Sequence, residues 1–164
     1  MINVYNILND KNNRPKLNVQ REIDIDERNI SIEESVEILN HFFNMKELNV
    51  EHVYLIGFDN EMNIIGIFLV SIGTCNNCVF YKRSIVTFLI LSGTTRFILY
   101  HNHPNGRTDV SQDDILSMSA IKLLAKDLDI EFIESVIVAA NEWRCIERNK
   151  VYEYKDEHDE DDEF

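Results

Sequence analysis

Tyr100 to Asp114 reads YHNHPNGRTDVSQDD, and its periodicity changes from that of a strand to that of a helix within fifteen residues. Phe97 to Tyr100 is a short apolar run of strand character that delivers its end into His101. Side chains two apart on a strand share a side, so the imidazoles of His101 and His103 converge on one point. Ser111 precedes a strongly helical segment, 112–128, which predicts a helix capped by Ser111 with Asp114 on its first turn. A carboxylate is thereby held beside the loop that carries both histidines. Pro104 stiffens the exit from the pair, and Gly106 allows the backbone to turn back. Two nitrogen donors and one oxygen donor suit zinc, and three protein ligands leave the fourth position for water, as an open hydrolytic site requires.

Outward from this stretch, the chain alternates elements of both kinds. Residues 16–25, KLNVQREIDI, alternate apolar and polar as a half-buried strand does. Ser31 with Glu34 three residues on is a capping-box pattern, and it predicts a helix from Ile32 to Met45 with Val36, Ile38, Leu39, Phe42 and Phe43 as its apolar stripe. His52 to Phe58 and Ile64 to Ile72 read as a hairpin of two buried strands around the turn cluster 59–63. Residues 83–92 read as a helix ending at Gly93, and Ile130 to Ala140 and Trp143 to Ile146 read as a last pair of strands. The expectation is a single α/β domain over 16–153, with a mixed sheet flanked by helices. The Asn-rich start, 1–15, reads as a flexible N-terminal segment, and 154–164 as an acidic disordered tail.

Composition narrows the function classes. The 164 residues carry 16 Lys and Arg against 29 Asp and Glu, a net charge of −13, of which the last nine residues contribute −7. The remaining body, near −6, lacks the basic face through which nucleic acid or anionic membrane is bound, so both are poor partners. The longest apolar stretch, Ile64 to Gly73, is too short to span a bilayer, and the polar start carries no leader-like apolar core, which points to the cytoplasm. Three cysteines do not make a disulfide framework. Cys75 and Cys78 form a lone CxxC without a second pair, and read as reduced thiols.

His101-Asn102-His103-Pro104, followed after seven intervening residues by Ser111 and then by Asp114, resembles the JAMM motif of JAB/MPN-type zinc metalloproteases, in the form of the RadC-like branch. The likeness extends over residues 16–146 and includes the turn Ser71-Ile72-Gly73-Thr74-Cys75-Asn76, at the place of the branch's Gly-Thr turn. It implies the JAB/MPN-like, cytidine-deaminase-like fold, with zinc at the edge of the sheet. It also implies a peptide or protein-conjugate substrate, one Zn2+ per chain on His101, His103 and Asp114, and hydrolysis of a peptide or isopeptide bond through a zinc-activated water. By position Glu51, opening the strand HVYLIGF, matches the family's general base, and Glu61 in the next turn is the competing residue. By the same resemblance Ser111 stabilises the oxyanion.

The chain departs from the branch at Tyr81-Lys82-Arg83, where Pro-Arg-Glu is usual, at Ser92-Gly93, where Asn-Ala is usual, and at Glu134-Ser135, where Asp-His is usual. These changes spare the ligands but touch their surroundings. Two other classes therefore stay open: a catalytically weak or inactive binding module on the same fold, and a RadC-like protein associated with DNA repair, against which the charge speaks.

Overall fold

The computed structural model describes residues 1–26, 28–75 and 79–155. In chain order its elements are β1 (Ile2–Asn9), β2 (Pro15–Ile23), α1 (Ile32–Phe43), β3 (His52–Phe58), β4 (Ile64–Ile72), α2 (Lys82–Ser92), β5 (Arg96–Asn102), α3 (Gln112–Asp127), β6 (Glu131–Val138), β7 (Glu142–Cys145) and β8 (Lys150–Glu153). The strands form one mixed sheet in the order β2-β1-β4-β3-β5-β6-β7-β8. Among the described residues, only the β1–β4 and β5–β6 pairs are parallel. Among the described residues, no helix is long and apolar enough to cross a membrane.

Alternation along the central strands divides the core in two. Tyr54, Ile56, Phe58, Ile98 and Tyr100 face one way and pack with Val36 and Leu39 of α1. Val53, Leu55, Phe97 and Leu99 face the other way and pack with Ile85, Phe88 and Leu89 of α2 and Ile121 and Ala125 of α3. The result is three layers, with α1 on one face of the sheet and α2 and α3 on the other. Continued along β5, the same parity turns His101 to the α2/α3 face and Asn102 to the α1 face. The β5–α3–β6 crossover brings the start of α3 to the carboxyl end of β5, the end of a parallel unit where ligand sites gather.

Both helix starts expected from serine caps are present as capping boxes. Ser31 Oγ accepts from the Glu34 N–H at 3.2 Å while Glu34 Oε2 accepts from the Ser31 N–H at 2.7 Å. α1 ends earlier than the expected Met45, because Asn44 adopts φ 51° and a single 3-10 turn, Met45–Glu47, follows.

The N-terminal segment corrects the sequence reading. Residues 1–15 are not a free lead: Ile2 and Val4 are buried in the core, and β1 pairs in parallel with β4 through Val4–Ile67 and Tyr5–Phe68. The Asn-rich stretch is a hairpin turn, with Asp10 Oδ1 accepting the N–H of Asn12 and of Arg14 at 2.8 and 2.9 Å and Asn13 at φ 59°. The seat for β1 is made by Gly66, since a Cβ there would lie 2.5 Å from the Tyr5 ring. Gly66→Ala is accordingly expected to destabilise the protein by about 1–3 kcal/mol, as overpacking does, and to release the β1–β2 hairpin first. Thermal unfolding together with amide exchange on Ile2–Asn9 checks this; an unchanged midpoint contradicts it.

The sheet also continues past the expected last pair. β8 adds through Trp143–Tyr152, whose rings stack at 4.1 Å. Of the tail, Tyr154 donates its hydroxyl to the Ala139 carbonyl at 2.9 Å and Lys155 pairs with Glu33 at 3.0 Å; 156–164 lie outside the described residues, as do Asn76, Asn77 and Cys78.

Candidate metal centre

The ligand atoms of His101, His103 and Asp114 lie within 4.8 Å of one another. His101 Nε2 stands 3.2 Å from Asp114 Oδ1, and His103 Nε2 stands 3.5 Å from Asp114 Oδ2. Three donors on one zinc at bond lengths near 2.1 Å are about 3.4 Å apart in a tetrahedral set, and each histidine stands about that far from one or the other oxygen of Asp114. The cluster sits at the carboxyl end of β5, the fifth strand of the sheet order, which corrects the expectation of a site at the sheet edge.

Each donor is held from outside. The His101 ring is fully buried, and among the described residues neither of its nitrogens makes a well-formed hydrogen bond, although Nε2 faces Asp114 Oδ1. A buried imidazole nitrogen left so is costly unless a further atom satisfies it, and a metal would satisfy Nε2. Phe80 packs edge-on against this ring at 5.6 Å. His103 Nδ1 lies 3.0 Å from the Arg107 carbonyl, and donating there leaves the Nε2 lone pair directed at the cluster. Asp114 Oδ2 accepts the Ser111 N–H at 2.9 Å, and Ser111 Oγ accepts the Asp114 N–H at 3.0 Å. The capping box therefore orients the carboxylate as well as starting the helix. The loop between is pinned at Thr108, whose hydroxyl donates to Glu142 Oε1 at 2.6 Å, and at His103, whose N–H donates to the Val138 carbonyl at 2.9 Å.

Glu51 precedes β3 by one residue and shares parity with Val53, which pairs with His101 across the β3–β5 ladder. Its side chain therefore turns to the same face as the histidines. At 8% exposed it is a buried carboxylate, not a solvated strand-start acid. It lines a cleft of about 330 Å3 with His103, Asp114, Ser111, Phe80 and Cys75. Glu61, the competing residue, lies in the exposed turn at the other end of β3. The rim adds Asp109 and Asp113, and no Lys or Arg lines the cleft among the described residues.

Electrostatics follow from this packing. Burial pushes the Asp114 carboxyl up, but the facing His101 and His103 imidazoles and the Ser111 N–H outweigh it and hold the group well below the usual carboxylate range. Burial also disfavours the His103 cation, yet the Asp114 carboxylate, followed by the Glu51 charge, raises its pKa above the ordinary imidazole value. In the metal-free protein the raised His103 value contributes stability that is complete below about pH 6.5 and lost as pH rises through the folded pKa. The lowered Asp114 value contributes stability present above about pH 4 and lost as pH falls through its folded pKa. Metal needs neutral His103, so the gain in thermal midpoint on adding zinc is expected to be larger at about pH 7.5 than at about pH 5.5. Calorimetry with and without zinc checks this, and an equal gain at both pH values contradicts it.

The departures from the branch pattern lie outside the ligand set. Glu134 is fully buried and accepts the N–H groups of Ser135, Glu147 and Arg148 at 2.8, 2.7 and 3.2 Å, where it fastens the connection from β7 to β8. Tyr81 starts α2 without a side-chain cap, next to Phe80 on the cleft wall. Gly93 ends α2 at φ 71°.

A model of the RadC-like JAB domain matches residues 31–151. A UPF0758 protein of Chlorobium chlorochromatii is 30% identical over 93 residues, which cover 57% of this chain and 42% of that protein. A UPF0758 protein of Thermotoga maritima is 27% identical over 108 residues, 66% of this chain and 49% of that protein. One of Staphylococcus aureus is 26% identical over 102 residues, 62% and 47% respectively. The matched region thus spans just under half the length of these relatives.

Proposed function

The chain belongs to the RadC-like JAB domain family, and from that premise we propose that it is a zinc-dependent metallopeptidase that hydrolyses a peptide or isopeptide bond, with one zinc per chain on His101, His103 and Asp114. The observation that carries this reading is the fully buried His101 ring, neither nitrogen making a well-formed hydrogen bond among the described residues, set against a carboxylate that also faces His103. Three such ligands leave a fourth position open to the cleft.

Zinc bound there supplies a strong Lewis acid, which acidifies water and polarises a carbonyl. Glu51, in the cleft wall with His103, accepts the proton given up during attack and returns it to the leaving amine. Ser111 spends one lone pair of Oγ on the Asp114 N–H, which leaves its O–H free to donate to the oxygen that gains charge. His103 keeps its orientation through the Arg107 carbonyl, and Phe80 closes the cleft beside the buried His101 ring.

A DNA-binding reading has no support in charge: the chain carries −13 and the cleft presents Glu51, Asp109, Asp113 and Asp114. The test of the peptidase reading is cleavage of a panel of peptide and isopeptide conjugates by the zinc-loaded protein. Cleavage abolished by a chelator and restored by zinc supports it. No cleavage of any member by fully loaded protein favours a binding module on the same fold.

A further inference from the structure

Asn102 stands between the two histidines and belongs neither to the ligand set nor to the cleft lining. Parity along β5 turns it to the opposite face, toward the chain that leads from α1 into β3, and it is buried. Its Oδ1 accepts the His52 N–H at 2.6 Å, and its Nδ2 donates to the Val50 carbonyl at 3.0 Å and to the Leu48 carbonyl at 3.4 Å. Residues 50 and 52 are the two neighbours of Glu51. The side-chain amide thus does what a further residue of β5 would do, and prolongs the β3–β5 ladder beyond the Val53–His101 pair. An amide suits this position, because it must accept from one strand group and donate to two others; a carboxylate cannot donate, a hydroxyl has a single proton to donate, and an aliphatic side chain can do neither.

On its other side Glu51 is bound through its own backbone. Its N–H donates to the Thr74 carbonyl at 2.9 Å, and its carbonyl accepts the Gly73 N–H at 2.7 Å. The main chain at 50–52 is therefore gripped from both flanks, by the end of β4 and by Asn102. We infer that Asn102 is a positioning residue: it ties the strand start that carries Glu51 directly to the strand end that carries His101 and His103, and so sets the Glu51 carboxylate against the His101–His103–Asp114 cluster. The inference rests on the reading of Glu51 as the proton carrier. It assigns to the residue inside the histidine pair a purpose separate from metal binding.

The test uses cobalt(II) as a visible probe in place of zinc, with wild type, N102A, E51Q and the double variant of the full chain. Each is expected to take up about one cobalt per chain, since the ligands are intact. N102A and E51Q should each shift the visible absorption band, and the double variant should match E51Q alone, because Asn102 acts only through Glu51. A double variant whose shift is the sum of the two single shifts overturns the inference, as does an unshifted N102A. In the metal-free protein, amide exchange at Glu51, His52 and Gly73 should rise about tenfold in N102A, with α3 unaffected; unchanged exchange there also overturns it. If the wild type takes up neither cobalt nor zinc, the proposed function fails, and the exchange result alone decides whether Asn102 holds the Glu51 segment. Should N102A yield no folded protein, N102S, polar but too short to reach Val50, takes its place with the same expected outcomes.

Discussion

Glu51→Gln is expected to lower kcat by about a thousandfold while zinc content stays unchanged. The amide is isosteric with the carboxylate and fits the same buried wall of the cleft, so packing gives no reason for unfolding. What it removes is, among the described residues and apart from Asp114 and the rim acids, the carboxylate that lines that wall next to His103. Asp114 is held well below the ordinary carboxylate range and faces both imidazoles, which makes it a poor proton acceptor. Asp109 is 79% exposed at the rim, too open for a defined role at the cluster. Turnover by the substituted protein within tenfold of wild type would take Glu51 out of the mechanism. Loss of both turnover and zinc would instead show that the carboxylate serves the metal.

Asp114→Asn is expected to weaken zinc binding by at least about a hundredfold, more than loss of an outer-shell contact costs, and to leave α3 in place. Both oxygens face the histidines, and Oδ2 also serves the helix cap. Oδ2 accepts the Ser111 N–H, and a carboxamide oxygen can do the same; Oδ1, 3.2 Å from His101 Nε2, is where the substituted protein would present an NH2 group, which cannot ligate. A metal titration paired with far-UV circular dichroism separates ligation from capping. Retained zinc affinity would remove Asp114 from the ligand set. Lost helix content along with lost metal would mean that the capping box depends on the charge.

The parts of the fold legible in the sequence are those with one dominant local cause. β3 to β6 are buried on both faces and are written as apolar runs, and both serine caps mark their helix starts. β2 was legible in its alternation, but β1 and the turn before β2 were not, because what holds β1 is remote: the Tyr5 ring lies over Gly66, sixty-one residues away in sequence, and the Asn-rich turn has the composition of a loose end. The edge strand β8 is four residues long and gains its place through Trp143, a contact no local pattern announces.

The candidate site divides in the same way. Strand parity places His101 and His103 on one side, and the Ser111 cap places Asp114 beside them, so proximity of the three could be read from spacing. Glu51 rested on the position of a resembling residue; parity with Val53 and its burial give that choice a physical basis and separate it from Glu61 at the far end of β3. Asn102, Thr108 and Arg107 escaped notice because their partners, Val50 and His52, Glu142, and His103, are reached only after the chain folds or through a backbone atom that carries no side-chain signature. The signal that did exist was the polarity of Asn102 at a position that a central strand buries.

The measurement that bears most directly on the central claim is elemental analysis of the protein purified without a metal-affinity tag, with wild type beside His103→Ala. About one zinc per chain in the wild type and little in the variant is the predicted result, because a site of three protein ligands cannot hold the metal tightly on two. A wild type that remains metal-free after zinc is supplied, or a variant that retains it in full, contradicts the account.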